Sequence, residues 1–407
     1  IMPSLVGSEM CIRDRSEVHA RVLHQMARER GVDLRLEALP DAAELRKRLR
    51  GEGHRGLTSP ELATLMAHVK LLAKADLLAS DLPDNDVFDA RVGRYFPRRL
   101  ADEYSSAIRA HRLRREIVTT TLVNDVVDQA GITHLFRLGE GTGAGTEESV
   151  RAYVVANKVF GLSDLFGRIG RSAAPAATVD EMMLYARRLL FRASRWMLAF
   201  RPQPLAIAAE ITRYTERVTQ LSTVMGGWYG ASSARDVDER AASYRERGVP
   251  DDVAGEVAMS LHRFCLLDII DSAEIADRDP AEVGELYFAV MEHFGLEELL
   301  TAVSDLDRGD RWHALARLAL RDDMHGALRA ITLKILEVSE PDESSAEKID
   351  EWESSQSSRL GRVRTVLAEI TESGTQDLAT LSVAARQLRS MIPVSYTHLR
   401  AHETRHD

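Results

Sequence analysis

Cysteine is nearly absent from this chain: only Cys11 and Cys265 occur in 407 residues. Two cysteines cannot supply a disulfide framework, so a reducing cytoplasm is the simplest location. Long apolar runs are missing too, and none approaches the roughly 20 residues that a membrane-spanning helix needs. The N-terminus, IMPSLVGSEMCIRDR, lacks the basic start and apolar core of a secretory signal peptide. A net charge of −10 argues against a nucleic-acid partner, which would require a basic face.

Strand patterns are also scarce, and the dominant apolar period is helical. The stretch LTSPELATLMAHVKLLAKADLLAS (57–80) predicts a helix, since Thr58 and Glu61 have the spacing of a capping box and Pro60 lies in the first turn. Its apolar stripe comprises Leu62, Leu65, Met66, Val69, Leu72 and Ala73. The turn formers of DLPDND (81–86) should end the helix.

Further helix starts follow the same pattern. Thr178 and Glu181 predict a capped helix over 178–200 that RPQP (201–204) ends, with Met182, Ala186, Leu189, Ala193 and Met197 on one face. Asp279-Pro280-Ala281-Glu282 predicts another start. A long helix is predicted from about Ala101 to Ala130, closed by Gly131. The acidic, serine-rich stretch 339–358 should begin as a loop and become helical from Ile349.

An internal repeat is visible without gaps between AYVVANKVFGLSDLFGRI (152–169) and LYFAVMEHFGLEELLTAV (286–303). The identical residues pair as Tyr153 with Tyr287, Phe160 with Phe294, Gly161 with Gly295, Leu162 with Leu296 and Leu165 with Leu299. Chance similarity between two amphipathic helices is the alternative interpretation. The shared Phe-Gly-Leu favours two similar helical units within a multi-helix, all-α assembly.

A cofactor site is suggested by LGEGTGAGTEE (138–148), where Gly139, Gly141 and Ala144 fit G-x-G-x-x-G/A. The motif should follow a strand, yet it comes after helical sequence and no parallel-strand run surrounds it. We therefore expect a loop leading to a helix whose N-cap is Thr142 or Thr146, and no Rossmann domain in this chain.

Other polar clusters support a site weakly. HRLRREIVTTTLVNDVV (111–127) presents basic residues on one side, which is compatible with an anion site but more typical of a solvated or inter-domain face. Asp322, Asp323 and His325 are close in sequence, but adjacent helical positions diverge by about 100° and cannot both easily face one metal. Cys265 lies in an apolar run and is interpreted as a buried thiol. We predict no catalytic, cofactor-binding or metal-ligating residue.

Several stretches in series resemble one family. They are 55–86, RYFPRRL (94–100), AIRAHRLRREIVTTTLVNDVVDQAGITHLFRL (107–138), 150–162, 310–332 and 378–391. Their order and spacing are similar to the C-terminal region of the large bacterial NAD-specific glutamate dehydrogenases, with L-T-x-P-E-L-A and the pair HRLRREI and AGITHLFRL as the specific motifs. The glycine-rich GEGTGAG and the segment VMGGWYGASSARD (224–236) depart from the family pattern.

The resemblance implies a parent enzyme that oxidatively deaminates glutamate to 2-oxoglutarate and ammonia with NAD. In that family the catalytic and cofactor domains lie upstream of the matched region, so NAD is expected for the parent and not for this chain. Its implied partners are its own missing N-terminal and catalytic domains and further copies of the parent in a homo-oligomer, with no nucleic acid or membrane. A free-standing helical scaffold or interaction protein is the alternative.

Both chain ends raise a further question. SLVGSEMCIRDR (4–15) and VSYTHLRAHETRHD (394–407) resemble translated sequencing-adaptor read-through at the ends of metagenome-derived reading frames. The second end carries His398, His402 and His406 at helical spacing, which also permits a metal-site hypothesis. We expect artefact tails at 1–15 and 393–407 and a truncated fragment between them.

The expected domain organisation follows from these segments. Residues 16–338 form the helical C-terminal region, with repeat units at about 101–200 and 250–336. Residues 339–358 form an acidic serine-rich linker, and 359–392 form terminal helices.

Overall fold

The computed structural model describes residues 17–51, 56–306, 310–355, 357–374 and 376–392, and within these ranges every regular element is a helix. The predicted all-α fold is confirmed. The described residues form two compact units. One runs to Ser172 and includes Ala176–Thr215; the other contains Ala173–Pro175 and the residues from Glu216 onward. The proposed domain boundaries and the linker at 339–358 stay predictions.

The first unit consists of eleven described α-helices and the start of a twelfth. They are α1 (17–29), α2 (Ala42–Arg50), α3 (Ser59–Leu78), α4 (Asp89–Arg94), α5 (Arg98–Glu103), α6 (Ser105–Arg109), α7 (Arg114–Asp125), α8 (His134–Thr142), α9 (Thr146–Val159), α10 (Leu162–Gly170), α11 (Ala176–Phe200) and α12 (Ile207–Val224). Short 3₁₀ turns cover Leu82–Asp84 and Asp86–Phe88, and a π-helix covers Val126–Ala130.

The core of this unit has two regions. Leu23, Leu45 and Leu65 bring α1, α2 and α3 together. Helix α11 packs along α9 and also contacts α8 and α10. Its predicted inward face is confirmed, because Met182, Ala186, Leu189, Ala193 and Met197 are all buried.

The second unit contains the remainder of α12 and ten further helices among the described residues. They are α13 (Ala231–Glu246), α14 (Asp251–Ala258), α15 (Ser260–Arg263), α16 (Cys265–Ala276), α17 (Pro280–His293), α18 (Leu296–Asp305), α19 (Arg311–Leu336), α20 (Ser345–Ser355), α21 (Ser357–Glu372) and α22 (Leu378–Ser390). Helix α19 packs against α16, α17, α18, α20 and α22, so it occupies the centre of this unit.

Several helix starts are confirmed. Thr58 and Glu61 form the predicted reciprocal capping box at α3, and the Asp279 carboxylate accepts the backbone N–H groups of Ala281 and Glu282 at α17. The apolar stripe of α3 is only partly right. Leu65 and Ala73 are buried, whereas Leu62 and Met66 are exposed.

The predicted long helix over 101–130 is wrong. The chain leaves helical geometry at Tyr104 and again before Leu113, and the segment is divided among α5, α6, α7 and the π-helix. His111 stabilises the second break, because its Nδ1 accepts the backbone N–H of Leu113 at 3.1 Å. The predicted closing residue is correct: Gly131 has a φ of 92° and its N–H donates to the Val127 carbonyl.

Two predicted helix starts are also wrong. Helix α11 begins at Ala176, and Thr178 is buried inside it rather than capping it. Helix α20 begins at Ser345 rather than Ile349. Ser344 and Glu347 form a reciprocal capping pair there, with the Ser344 N–H 2.9 Å from Glu347 Oε2 and the Glu347 N–H 3.3 Å from Ser344 Oγ.

Candidate functional site

The glycine-rich stretch covers the end of α8, the turn that follows it and the start of α9. Gly139, Glu140, Gly141 and Thr142 belong to α8, and Gly143 ends that helix with a φ of 78°. Gly145 is the N-cap of α9, so neither predicted capping residue, Thr142 or Thr146, is correct. The Glu148 carboxylate accepts the Gly145 N–H at 2.8 Å. A carboxylate therefore lies at the helix start, where a pyrophosphate would have to bind.

The HRLRREI motif holds a turn in place. Arg114 donates to the Pro83 carbonyl, to the Asn85 carbonyl at 3.2 Å and to Asp89 Oδ1 at 2.9 Å. Neither the anion-site hypothesis nor the solvated-face hypothesis describes this guanidinium, because its donors bind backbone and carboxylate oxygens within the same unit.

Arg115 does the same at the end of α3. It donates to the Leu78 carbonyl at 2.8 Å and the Ser80 carbonyl at 2.7 Å, and it pairs with Asp84. The C-terminus of a helix carries unsatisfied carbonyls and a partial negative charge, both of which a guanidinium satisfies. The helices that carry the L-T-x-P-E-L-A motif (α3) and the HRLRREI motif (α7) are thus linked through the DLPDND turn.

The Asp322–His325 cluster does not converge. Asp323 pairs with Arg389 of α22 at 3.1 Å, and burial raises the pKa of its carboxyl group. His325 is buried with its ring edge against Phe264 at 5.2 Å. Across the described ranges, no three His, Cys, Asp or Glu side chains are arranged to hold a metal ion. His398, His402 and His406 lie outside those ranges.

Cys265 is buried at the start of α16, as predicted. It interacts with Tyr287, and burial raises the pKa of the Tyr287 hydroxyl well above its ordinary value.

Sequence reasoning missed a polar network at the π-helix. Gln129 Oε1 lies 2.9 Å from the Tyr153 hydroxyl, 2.6 Å from Asn157 Nδ2 and 3.2 Å from Ser163 Oγ, and each of these groups donates to it. Arg187 donates to the backbone carbonyl of Gln129 at 2.6 Å. Single turns of π-helix are often found at functional sites. The sequence pattern does not reveal this π-helix, because the side chains that bind Gln129 come from α9, α10 and α11.

A second missed feature is a small acidic cleft in the other unit. It has a volume of about 220 Å³ and is lined by Gly230, Ala231, Ser232, Ser233, Arg235, Glu292, Glu297 and Glu298. Glu292 accepts the Ala231 N–H at 2.9 Å, and Glu297 accepts the Ser233 hydroxyl at 2.9 Å. The cleft includes part of VMGGWYGASSARD (224–236), one of the two segments expected to depart from the family pattern.

Glu297 also faces a buried histidine. His262 Nε2 lies 3.4 Å from Glu297 Oε2. Burial by itself raises the pKa of Glu297, but the interactions with His262 and Ser233 outweigh it and hold the pKa below its ordinary value. The Ser233 hydroxyl is bonded to a carboxylate and not to the imidazole, so the cleft does not pair a nucleophile with a histidine base.

With this geometry established, the chain can be compared with known proteins. The family model for the C-terminal region of glutamate dehydrogenase matches residues 54–390, a range that contains α3 to α22. The chain belongs to this family. The predicted resemblance is confirmed, and both missed features lie inside the matched range.

Curated relatives agree with this assignment. An NAD-specific glutamate dehydrogenase of Mycobacterium tuberculosis is 51% identical over 378 residues, which are 93% of this chain and 23% of that protein. NAD-specific glutamate dehydrogenases of Pseudomonas aeruginosa and Halomonas elongata are 32% and 31% identical over 93% and 94% of the chain. The chain therefore spans about a quarter of the length of the curated relatives it matches. None of the helices in the described residues is both long and apolar enough to cross a membrane.

Proposed function

We propose that this chain is the helical C-terminal region of an NAD-dependent glutamate dehydrogenase, and that it contributes packing and assembly rather than chemistry. The parent enzyme would oxidatively deaminate glutamate to 2-oxoglutarate and ammonia in the cytoplasm. The observation that carries the proposal is the match over 54–390 together with relatives of that name, of which the chain covers about a quarter.

The use of the charged groups supports a structural role. Arg114 and Arg115 are committed to the turn after α3, and Glu148 is committed to the start of α9. The glycine-rich helix start does not fit NAD, because the Glu148 carboxylate would repel a pyrophosphate from the same N–H groups. We therefore place NAD in the remainder of the parent, and we expect that remainder and further copies of the parent to be the partners.

A chimera tests this proposal. In the M. tuberculosis relative, the region that aligns with this chain is replaced by this chain, and glutamate-dependent NAD reduction and oligomeric state are measured. We expect the chimera to be active, the isolated chain to show no turnover, and the relative without the region to lose its assembly. Turnover by the isolated chain would contradict the non-catalytic role. An inactive chimera that is correctly assembled would contradict the family role.

The free-standing scaffold is the second candidate, and it is favoured by one observation: each unit has its own buried core. Genomic sequence spanning the codons of Arg15 and Ile392 separates the two. An in-frame dehydrogenase domain upstream supports the first candidate, and a native start codon near residue 1 supports the second.

A further inference from the structure

Residues 94–113 form a largely exposed segment, which we call the arginine knob. It comprises the end of α4, α5, α6 and the turn before α7. Four large apolar side chains are exposed on it, at 61% for Tyr95, 45% for Leu100, 57% for Tyr104 and 54% for Leu113. Exposed apolar side chains that form a common surface patch mark an interaction site.

The helices of the knob have little core of their own. Helix α5 is six residues long and none of them is buried. Helix α6 has five residues, of which only Ile108 is buried. Isolated helices shorter than about 12 residues are marginal in water, so most of their stability comes from packing of a buried face. The short helices of the knob bury almost no face against the rest of their unit, so they gain very little stability from packing there.

The knob carries a net positive charge, whereas the chain as a whole is negatively charged. Arg98 and Arg99 pair along α5 with Asp102 and Glu103. Three further exposed arginines have no ion-pair partner in the described part of the chain: Arg94, Arg109 and Arg112. The whole chain carries a net charge of −10, so this basic excess is local.

We propose that the arginine knob docks onto an acidic surface of the remaining part of the dehydrogenase polypeptide. This inference rests on the proposed function. Tyrosine and arginine are the side chains most enriched at the energetic centres of protein interfaces, and the knob presents both beside exposed leucines. The unpaired guanidinium groups select an acidic partner surface. The relatives are about four times as long as this chain, which leaves a large part of the same polypeptide to supply that surface.

Amide hydrogen exchange tests the docking directly. The exchange rates of residues 98–109 are compared between the isolated chain and the chimera with the M. tuberculosis relative. We expect these amides to exchange at least ~10-fold more slowly in the chimera, since docking covers helices that are otherwise exposed. Equal exchange rates in the two proteins would overturn the proposal.

Matched variants identify the contact. In the chimera, Leu100→Ala with Tyr104→Ala, and separately Arg94→Glu with Arg109→Glu and Arg112→Glu, should abolish the slowing at 98–109. Arg28→Glu with Arg35→Glu and Arg50→Glu is the charge control, since these three residues are exposed on the same unit outside the knob. If the control removes the protection as fully as the knob variants do, the contact is not specific to the knob and the proposal fails.

The results distinguish which surface covers the knob, and they show whether the docking proposal or the proposed function has failed. Slowing in the isolated chain that grows with its concentration would assign the knob to a second copy and overturn docking on the rest of the polypeptide. An active chimera with an unprotected knob refutes the docking alone. An inactive chimera with a protected knob refutes the proposed function alone, because the knob still binds the remainder of the relative.

Discussion

The helix pairs α9–α10 and α17–α18 share the same turn geometry and have different polar surroundings. Each pair turns through a left-handed glycine, Gly161 with a φ of 63° and Gly295 with a φ of 60°. The following leucines, Leu162 and Leu296, are both fully buried. A long helix follows each pair, α11 of 25 residues and α19 of 26 residues.

The correspondence continues in the preceding helices. Gly143 and Asp277, which align in the same register, both have positive φ and cap the ends of α8 and α16. Their N–H groups donate to the carbonyls of Gly139 and Ala273, which also align. The matched local structure therefore runs in one register across 134–170 and 268–304.

The differences lie in what surrounds the shared backbone. The ring of His134 lies edge-on to Tyr153 at 6.0 Å, whereas the Tyr287 hydroxyl donates to the aligned Asp268 at 3.2 Å. Ser163 joins the Gln129 network, whereas the aligned Glu297 binds Ser233 and lies beside His262. The aligned buried apolar residues and the glycine turns are common to both regions and are sufficient to specify this local structure. The polar groups around it differ between the two units.

The largest predicted effect tests the shared core. Leu162→Ala and Leu296→Ala should each lower the free energy of unfolding by about 2–5 kcal/mol, because each leaves a cavity at a fully buried site. Chemical unfolding followed by circular dichroism measures both. Leu71→Ala, at a site 61% exposed, is the control and should change stability by less than about 0.5 kcal/mol. A negligible loss in one member of the pair would break the equivalence.

The second prediction concerns His134 and pH. Burial, aided by the nearby Arg137 charge, lowers the pKa of His134 to about 3, so the folded chain keeps this ring neutral. The unfolded chain takes up the proton below a pKa of about 6.5. The stabilisation is therefore fully present above pH 6.5 and is lost as pH falls toward 3, at roughly 1.4 kcal/mol per pH unit.

His134→Phe should remove this dependence. Between pH 7 and pH 5, the variant should lose about 2 kcal/mol less stability than the parent chain. Leu71→Ala, at an exposed position, should retain the parent pH profile. An unchanged profile in His134→Phe would show that the ring takes up its proton as readily in the folded chain as in the unfolded chain.

The third prediction exploits a position at which the two regions differ. Val150 is fully buried in α9, and the aligned residue in α17 is Gly284, where an added Cβ would lie 2.5 Å from the Trp228 ring. Gly284→Val should cost about 1–3 kcal/mol through overpacking. Combining it with Trp228→Leu should cost less than the sum of the two single changes. Strict additivity in that double-mutant cycle would show that the ring and the glycine do not constrain each other.

The smallest predicted effect lies at the helix ends. Asp277 adopts a φ of 53°, which a side chain disfavours, and glycine occupies the aligned position 143. Asp277→Gly should stabilise the chain by about 0.5–1 kcal/mol, and Gly143→Ala should destabilise it by about 1 kcal/mol. Thermal unfolding measures both signs. Destabilisation by Asp277→Gly would show that the aspartate side chain contributes a contact that glycine cannot replace.

Sequence reasoning found only part of the correspondence between the two regions. It identified 152–169 and 286–303 because Tyr, Phe, Gly and two leucines recur there. It placed the repeat units at about 101–200 and 250–336 but aligned no residues outside 152–169 and 286–303, because pairs such as Gly143 with Asp277 and Gly145 with Asp279 share a backbone role and no chemistry. The common origin of the two regions stays a prediction.

The two candidate sites depended still more on tertiary structure. The Gln129 network unites side chains that are separated by 24 to 34 residues in sequence. The acidic cleft joins Ser233 to Glu297 across 64 residues. No periodic pattern encodes contacts at such separations, since the packing of whole helices decides them.

The sequence by itself determined the helical class, the starts of α3 and α17 and the cap at Gly131. These features depend on groups within a few residues of one another, so local geometry is sufficient. Tertiary structure alone decided that Arg114 binds the carbonyl of Pro83, 31 residues away, and that the long helix predicted over 101–130 is interrupted. A guanidinium has several possible acceptors in the unfolded chain, and only the packing of α7 against α3 selects one set.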